Sequence, residues 1–136
     1  MATLIKRVRA ALCRLLCGAQ PDVCDNADGA LTDISFIFVT SPRSGQRVSS
    51  GFTARGCSRT FESNVPWRLV DEAGAELASG STQGGGVDGP GPFSFSVSYS
   101  VASRQVGHLE VLEDDPSGGE GTRKPTRNVI PLVLRP

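Results

Sequence analysis

Residues 41–74 read SPRSGQRVSSGFTARGCSRTFESNVPWRLVDEAG, and the alternation of turn residues with short strands around one tryptophan decides the fold class. Ser41-Pro42 and Gly45 mark a first turn. Phe52, Ala54 and Gly56 then share one face of a strand whose other face carries Thr53, Arg55 and Cys57. Val65, Trp67 and Leu69 share a face of the next strand, which stops at the turn signal Asp71-Glu-Ala-Gly74. Trp67, the chain's single tryptophan, lies on an apolar face and reads first as core.

The pattern extends in both directions. Ile34-Ser-Phe-Ile-Phe-Val39 is a strand on the N-terminal side, and Glu76 to Ser79 a short, weaker one beyond the turn. Phe93, Phe95, Val97 and Tyr99 alternate with serines, the signature of a half-buried strand. Leu109 and Val111 alternate with His108 and Glu110, and Val129 to Leu134 closes the fold. Pro131 has no N–H to give to a ladder, which predicts an edge or a bulge there. Seven strands between Gly, Pro, Ser and Asp turns, with no helical period after residue 18, predict an all-β antiparallel sandwich over residues 34–136.

Several of these residues carry a family resemblance: Ser41-Pro42, Gly45, Val48-Ser49, Gly56, Phe61-Glu62, Asn64-Val65, Trp67, Leu69, Asp71 and Gly74. Gly91-Pro92-Phe93, the Gly107-x-Leu109-x-Val111-x-Glu113 segment and the closing apolar run continue it. In order and spacing the set resembles the immunoglobulin-like domain of bacterial spore-germination proteins. That resemblance implies an immunoglobulin-like β-sandwich and an association with spore germination. It also implies that the Phe61-Glu62 step begins the tryptophan strand, with Phe61 packed and Glu62 bonded to backbone or to a neighbouring base.

Residues 1–33 read as a separate leader and acidic linker. Leu4, Val8, Leu12 and Leu15/Leu16 recur at helical spacing among Lys6, Arg7, Arg9 and Arg14. The segment is a secretory signal, a basic amphipathic surface helix or a disordered leader; Arg14 interrupts the apolar stretch that a signal requires. No run approaches the roughly 18 residues of a membrane span. Asp22, Asp25, Asp28 and Asp33 follow without a base between them. Asn26, Asp28 and Gly29 fit part of a calcium loop, but Cys24 and Ser35 stand where its essential carboxylates belong, so an acidic linker is the better reading.

Fourteen basic and fourteen acidic residues cancel, so no global field draws the protein to nucleic acid or to anionic membrane. Cys13, Cys17 and Cys24 with one histidine supply no recognised metal set, and no cofactor is expected. Cys57 has no second cysteine within the sandwich and is expected as a free thiol on the outer face. Gly84, Gly86 and Gly89 satisfy G-x-G-x-x-G, but prolines and a strand follow instead of a helix, so the segment reads as a mobile loop and not as a phosphate cradle. His108 is expected on a solvated face, and nothing distinguishes Glu62, Glu110 or Glu113 from surface acids, so the chain is expected not to be an enzyme.

Function is therefore expected on loops. The candidate interaction residues are Gly84, Gly86, Asp88 and Gly89 in one loop and Arg123, Lys124 and Arg127 in another. The leading expectation is a non-catalytic module of the cell envelope, or a secreted one, that binds an envelope protein or a wall polymer. The competing one is a ligand-binding or inhibitory module acting on a carbohydrate or a protease through the glycine-rich loops. An exposed aromatic beside those loops would favour the second.

Overall fold

The computed structural model describes residues 24–113 and 126–136. Eight strands run in chain order: β1 (Phe36–Ser41), β2 (Arg47–Val48), β3 (Phe52–Arg59), β4 (Asn64–Val70), β5 (Glu76–Gln83), β6 (Gly91–Val97), β7 (Gln105–Leu112) and β8 (Arg127–Leu134). They form a three-stranded sheet, β1-β3-β6, packed on a five-stranded sheet, β2-β8-β7-β4-β5. The expected sandwich is present. The strand added to the expected seven is β2, two residues long and parallel to β8, and β5 extends to Gln83 instead of stopping at Ser79.

Alternation places the core. Val65, Trp67 and Leu69 of β4 and Leu109 and Val111 of β7 face Phe93, Phe95 and Val97 of β6 across the sandwich. The Trp67 indole stacks on the Phe95 ring, with centroids 4.7 Å apart and planes 8° from parallel. Burial of this kind is worth roughly 1.5 to 3 kcal/mol per large apolar side chain, so these residues dominate the fold's stability.

Pro131 sits where the ladder tolerates it. Its carbonyl accepts the N–H of Gly45 at 2.7 Å, and the N and C=O of one strand residue point the same way. The missing N–H thus falls on the β2 side, where pairing begins only at Val133, and the β7 ladder loses nothing. The sheet is at its edge there, as the proline predicts.

Cys57 is not a free thiol: it forms a disulfide with Cys24, 33 residues earlier, with Cα atoms 5.4 Å apart. Its side chain does lie on the outer face of the three-stranded sheet, level with Phe38 and Pro92, yet it is fully buried because the segment carrying Cys24 lies against that face. The partner came from outside the strands, which a search for a second sandwich cysteine does not reach. The acidic linker is ordered by its own side chains: Asp25 accepts from the Ala27 N–H, Asp28 from Ala30 and Asn26 from Leu31. These two carboxylates serve as turn formers. The helical or disordered segment expected over residues 1–18 lies outside the described residues.

Candidate functional site at one end of the sandwich

The glycine run between β5 and β6 begins with three residues that touch neighbours through backbone. A Cβ on Gly84 would lie 2.0 Å from the Ser58 hydroxyl, one on Gly85 2.2 Å from the Gly91 nitrogen, and one on Gly86 2.2 Å from the Ser63 hydroxyl. Only glycine permits this approach. The run is also held by hydrogen bonds: Gly84 N–H to Ser63 O at 2.9 Å, Gly85 N–H to Ser58 O at 3.1 Å, and Thr60 N–H to Gly85 O at 3.0 Å. Expected as a mobile loop, it is instead docked onto the β3–β4 corner, because glycine here supplies close contact and not freedom. Reciprocal bonds between Gly86 and Gly89, each 3.0 Å, then project Val87 and Asp88 from a two-residue turn. Val87 is 81% exposed.

The β3–β4 corner is the other wall. Thr60 is buried and its hydroxyl donates to the Asn64 carbonyl at 2.8 Å. Glu62 and Ser63 both hold positive φ, 55° and 61°, a conformation that costs L side chains of order 1 kcal/mol or more each and recurs where a chain must present a particular side chain. What the corner presents is Phe61. This phenyl ring was expected to pack and is 48% exposed, because the two left-handed residues turn the chain before β4 starts. Glu62 is exposed as well, and among the described residues no base or backbone donor reaches it.

Between the walls lies a cleft of about 200 Å³ lined by Ser35, Arg59, Thr60, Phe61, Gly86, Val87 and Glu113. Arg59 donates from Nη1 to the Ile34 carbonyl at 3.1 Å, while its Nε is buried without a partner. Glu113, expected as an ordinary surface acid, is 5% exposed. Its carboxylate accepts the Thr126 N–H at 3.0 Å, and its own N–H donates to the Thr126 carbonyl at 2.8 Å, which closes the base of the β7–β8 connection beside the cleft. Of the predicted loop residues, Gly86 lines the cleft, together with Glu113 at the end of β7. Gly84 and Gly89 support the turn, and Asp88 stands exposed at its tip. Arg127 is exposed at the first position of β8; Arg123 and Lys124 lie outside the described residues. Sequence reasoning missed Phe61, Val87 and Arg59. The signal for Phe61 was its place one residue before a turn of polar residues, outside the alternation of β4.

His108 is half-buried on the outer face of the five-stranded sheet, level with Val70 and Pro131, and does not line the cleft. Among the described residues no three His, Cys, Asp or Glu side chains converge as metal ligands, and no helix is long and apolar enough to cross a membrane. The resolved pKa shifts lie away from the cleft: the hydrogen bond from Arg68 to Glu110 raises the guanidinium, and burial raises the Tyr99 phenol.

Residues 36–120 match the family described as the immunoglobulin-like domain of bacterial spore germination. Among solved structures, the crystal structure of CopC from Methylosinus trichosporium OB3b aligns with 76% of this chain and 95% of its own, at 16% identity and a TM-score of 0.48. No curated protein matches the chain in sequence.

Proposed function

The chain belongs to the family of immunoglobulin-like domains of bacterial spore germination, and from that premise we propose that it is a non-catalytic binding module of the bacterial cell envelope. It engages an envelope protein or a wall polymer through the end of the sandwich where the glycine turn and the β3–β4 corner meet. The observation that carries this reading is the family match over residues 36–120; the exposed apolar side chains Phe61 and Val87, flanking one cleft, mark the contact surface. A solvent-facing aromatic in a concave setting with polar groups beneath it is the composition of a binding hot spot. Asp88 at the tip of the glycine turn and Arg127 at the start of β8 are exposed charged residues on the two connections. The Cys24–Cys57 disulfide supports an exported location, since such bonds persist in oxidising compartments.

The second reading, a module that binds a carbohydrate or occludes a protease site, is favoured by one feature. Phe61 is an exposed aromatic beside the glycine loop, and an aromatic face is a platform for a sugar ring or a peptide side chain. Sedimentation with purified bacterial wall and cross-linking in envelope extracts separate the two partner classes. Phe61→Ala and Val87→Asp each weaken capture by about tenfold or more, as hot-spot truncations do, without lowering the melting temperature. Capture unaffected by both substitutions would remove this end of the sandwich from consideration. Turnover of a peptide, ester or glycan abolished by His108→Ala would overturn the non-catalytic reading.

A further inference from the structure

A disulfide exchanges when a thiolate attacks one of its sulfurs and the other leaves as a thiolate, so access and leaving-group stability decide which sulfur reacts. The two halves of Cys24–Cys57 differ in both respects. Cys57 is fully buried in β3, whereas Cys24 is half-buried and lines an open cavity of about 470 Å³ at the outer face of the three-stranded sheet. That volume falls in the range of small-molecule pockets, roughly 300 to 1,000 Å³. Arg55, Thr40, Pro92 and Ser94 are among the residues that complete its wall. Cys57 also has cationic neighbours. Arg55 and Arg59 stand two positions before and after it in β3 and so share its face. Among the described residues no carboxylate pairs with either, and the Arg59 Nε is buried without a hydrogen-bond partner. Guanidinium groups stabilise a neighbouring thiolate and offset what burial costs it. Cys57 is the better leaving group, and Cys24 is the reachable target.

We propose that Cys24–Cys57 is a thiol-exchange site that opens from the Cys24 side. A thiolate entering the cavity bonds to Cys24 Sγ, the Cys24–Cys57 bond breaks, and its electron pair leaves on Cys57 Sγ. The attacking thiol has given its proton to solvent, and the Cys57 thiolate can take one back. One disulfide replaces another, so no oxidant or reductant is consumed. Return attack by Cys57 expels the added group and restores the crosslink. The site is thus a reversible point of covalent attachment for a thiol, and Arg55 in the cavity wall selects anionic thiols. Cys17 and Cys13, seven and eleven positions before Cys24, carry the same chemistry within the chain. Along β3 the cavity lies beside Arg55 and the Phe61–Val87 cleft beside Arg59, and the inference does not rest on the proposed partner.

The test treats the folded full chain with limiting mercaptoethanesulfonate, an anionic thiol, or with cysteamine, a cationic one. Acid quench, labelling of free thiols with N-ethylmaleimide and peptide mass mapping then locate each group. The Cys24 peptide is expected to carry the thiol and the Cys57 peptide the maleimide. Corrected for thiolate concentration, the anionic thiol reacts about 1.5 to 5 times faster, as an exposed ion pair allows, and Arg55→Ala removes that preference. Should the alanine variant fail to fold, high salt, which screens exposed charge, removes it in the native chain. Cys24 joined to Cys17 or Cys13, with Cys57 labelled, supports the same opening with the chain's own thiol as attacker; Cys13→Ser with Cys17→Ser then diverts the product to the external thiol. An adduct on Cys57, an adduct shared equally by the two cysteines, or reaction only in denaturant overturns the proposal. A preference that is absent, or unmoved by Arg55→Ala and by salt, overturns the selection by Arg55.

Discussion

Tyr99 shows how one side chain holds two distant parts of the chain. Its hydroxyl lies 2.9 Å from the Val48 carbonyl and 2.8 Å from that of Arg135, its single proton shared between them, and accepts the Arg135 N–H at 3.1 Å. The phenol thereby ties β2 to the end of β8. Tyr99→Phe deprives the Arg135 carbonyl of its donor, while the Arg135 N–H keeps its bond to the Val48 carbonyl at 3.0 Å, and is expected to cost about 1 to 3 kcal/mol in denaturant unfolding. Burial, partly offset by Arg135, raises the Tyr99 pKa above its ordinary value. The neutral phenol is thus favoured by folding, so its contribution is complete below about pH 10 and is lost as pH rises through the folded-state value. Native protein should lose stability in that alkaline range, and the Phe variant should lose less; equal alkaline slopes would show that Tyr99 does not titrate with unfolding. Trp67 acts through packing alone. Trp67→Ala removes the ring stacked on Phe95 and is expected to cost about 3 to 5 kcal/mol, read as a fall in the midpoint denaturant concentration.

At the scale of elements, what was legible followed from how regular the pattern was. β6 and β7 alternate without interruption, so Phe93, Phe95, Leu109 and Val111 could be assigned to the core from sequence, and the Pro131 anomaly correctly marked an edge. β5 was read short because its exposed serines and glycine carry no apolar period: its strand character comes from pairing with β4, a tertiary cause. The cleft was legible only in half. Gly84, Gly86, Asp88 and Gly89 were visible as a loop, but glycine in sequence does not distinguish freedom from close contact, and Phe61 was misplaced because its exposure depends on two left-handed residues that are not glycine. One substitution tests the steric reading. Gly84→Ala drives a methyl into the Ser58 hydroxyl at a position where φ is ordinary. It should destabilise by about 1 to 3 kcal/mol, as overpacking does, and Ser58→Ala in the same chain should recover part of the loss. A neutral Gly84→Ala would mean that the loop is loosely seated.

At the scale of the whole molecule, the described residues before β1 form no strand, and their contribution comes through other contacts. From Asp25 to Thr32 the segment's hydrogen bonds are with itself, and Cys24–Cys57 fastens it covalently to the sandwich. A crosslink spanning 33 residues restricts the unfolded chain by about 3 to 4 kcal/mol in the loop-closure picture. Single domains are stable by about 5 to 15 kcal/mol, so loss of the crosslink should weaken the fold without abolishing it. Two routes remove it: reduction of the full chain, and truncation to begin at Asp33 with Cys57→Ser. If the segment acts only as one end of the staple, both should lower stability by the same amount, and reducing agent should have no further effect on the truncated chain. Melting curves of the four samples form a cycle whose coupling term isolates any additional contact. A truncated chain clearly less stable than the reduced full chain would assign residues before Asp33 a packing role on the outer face of the three-stranded sheet, and loss of cooperative melting would place them within the domain.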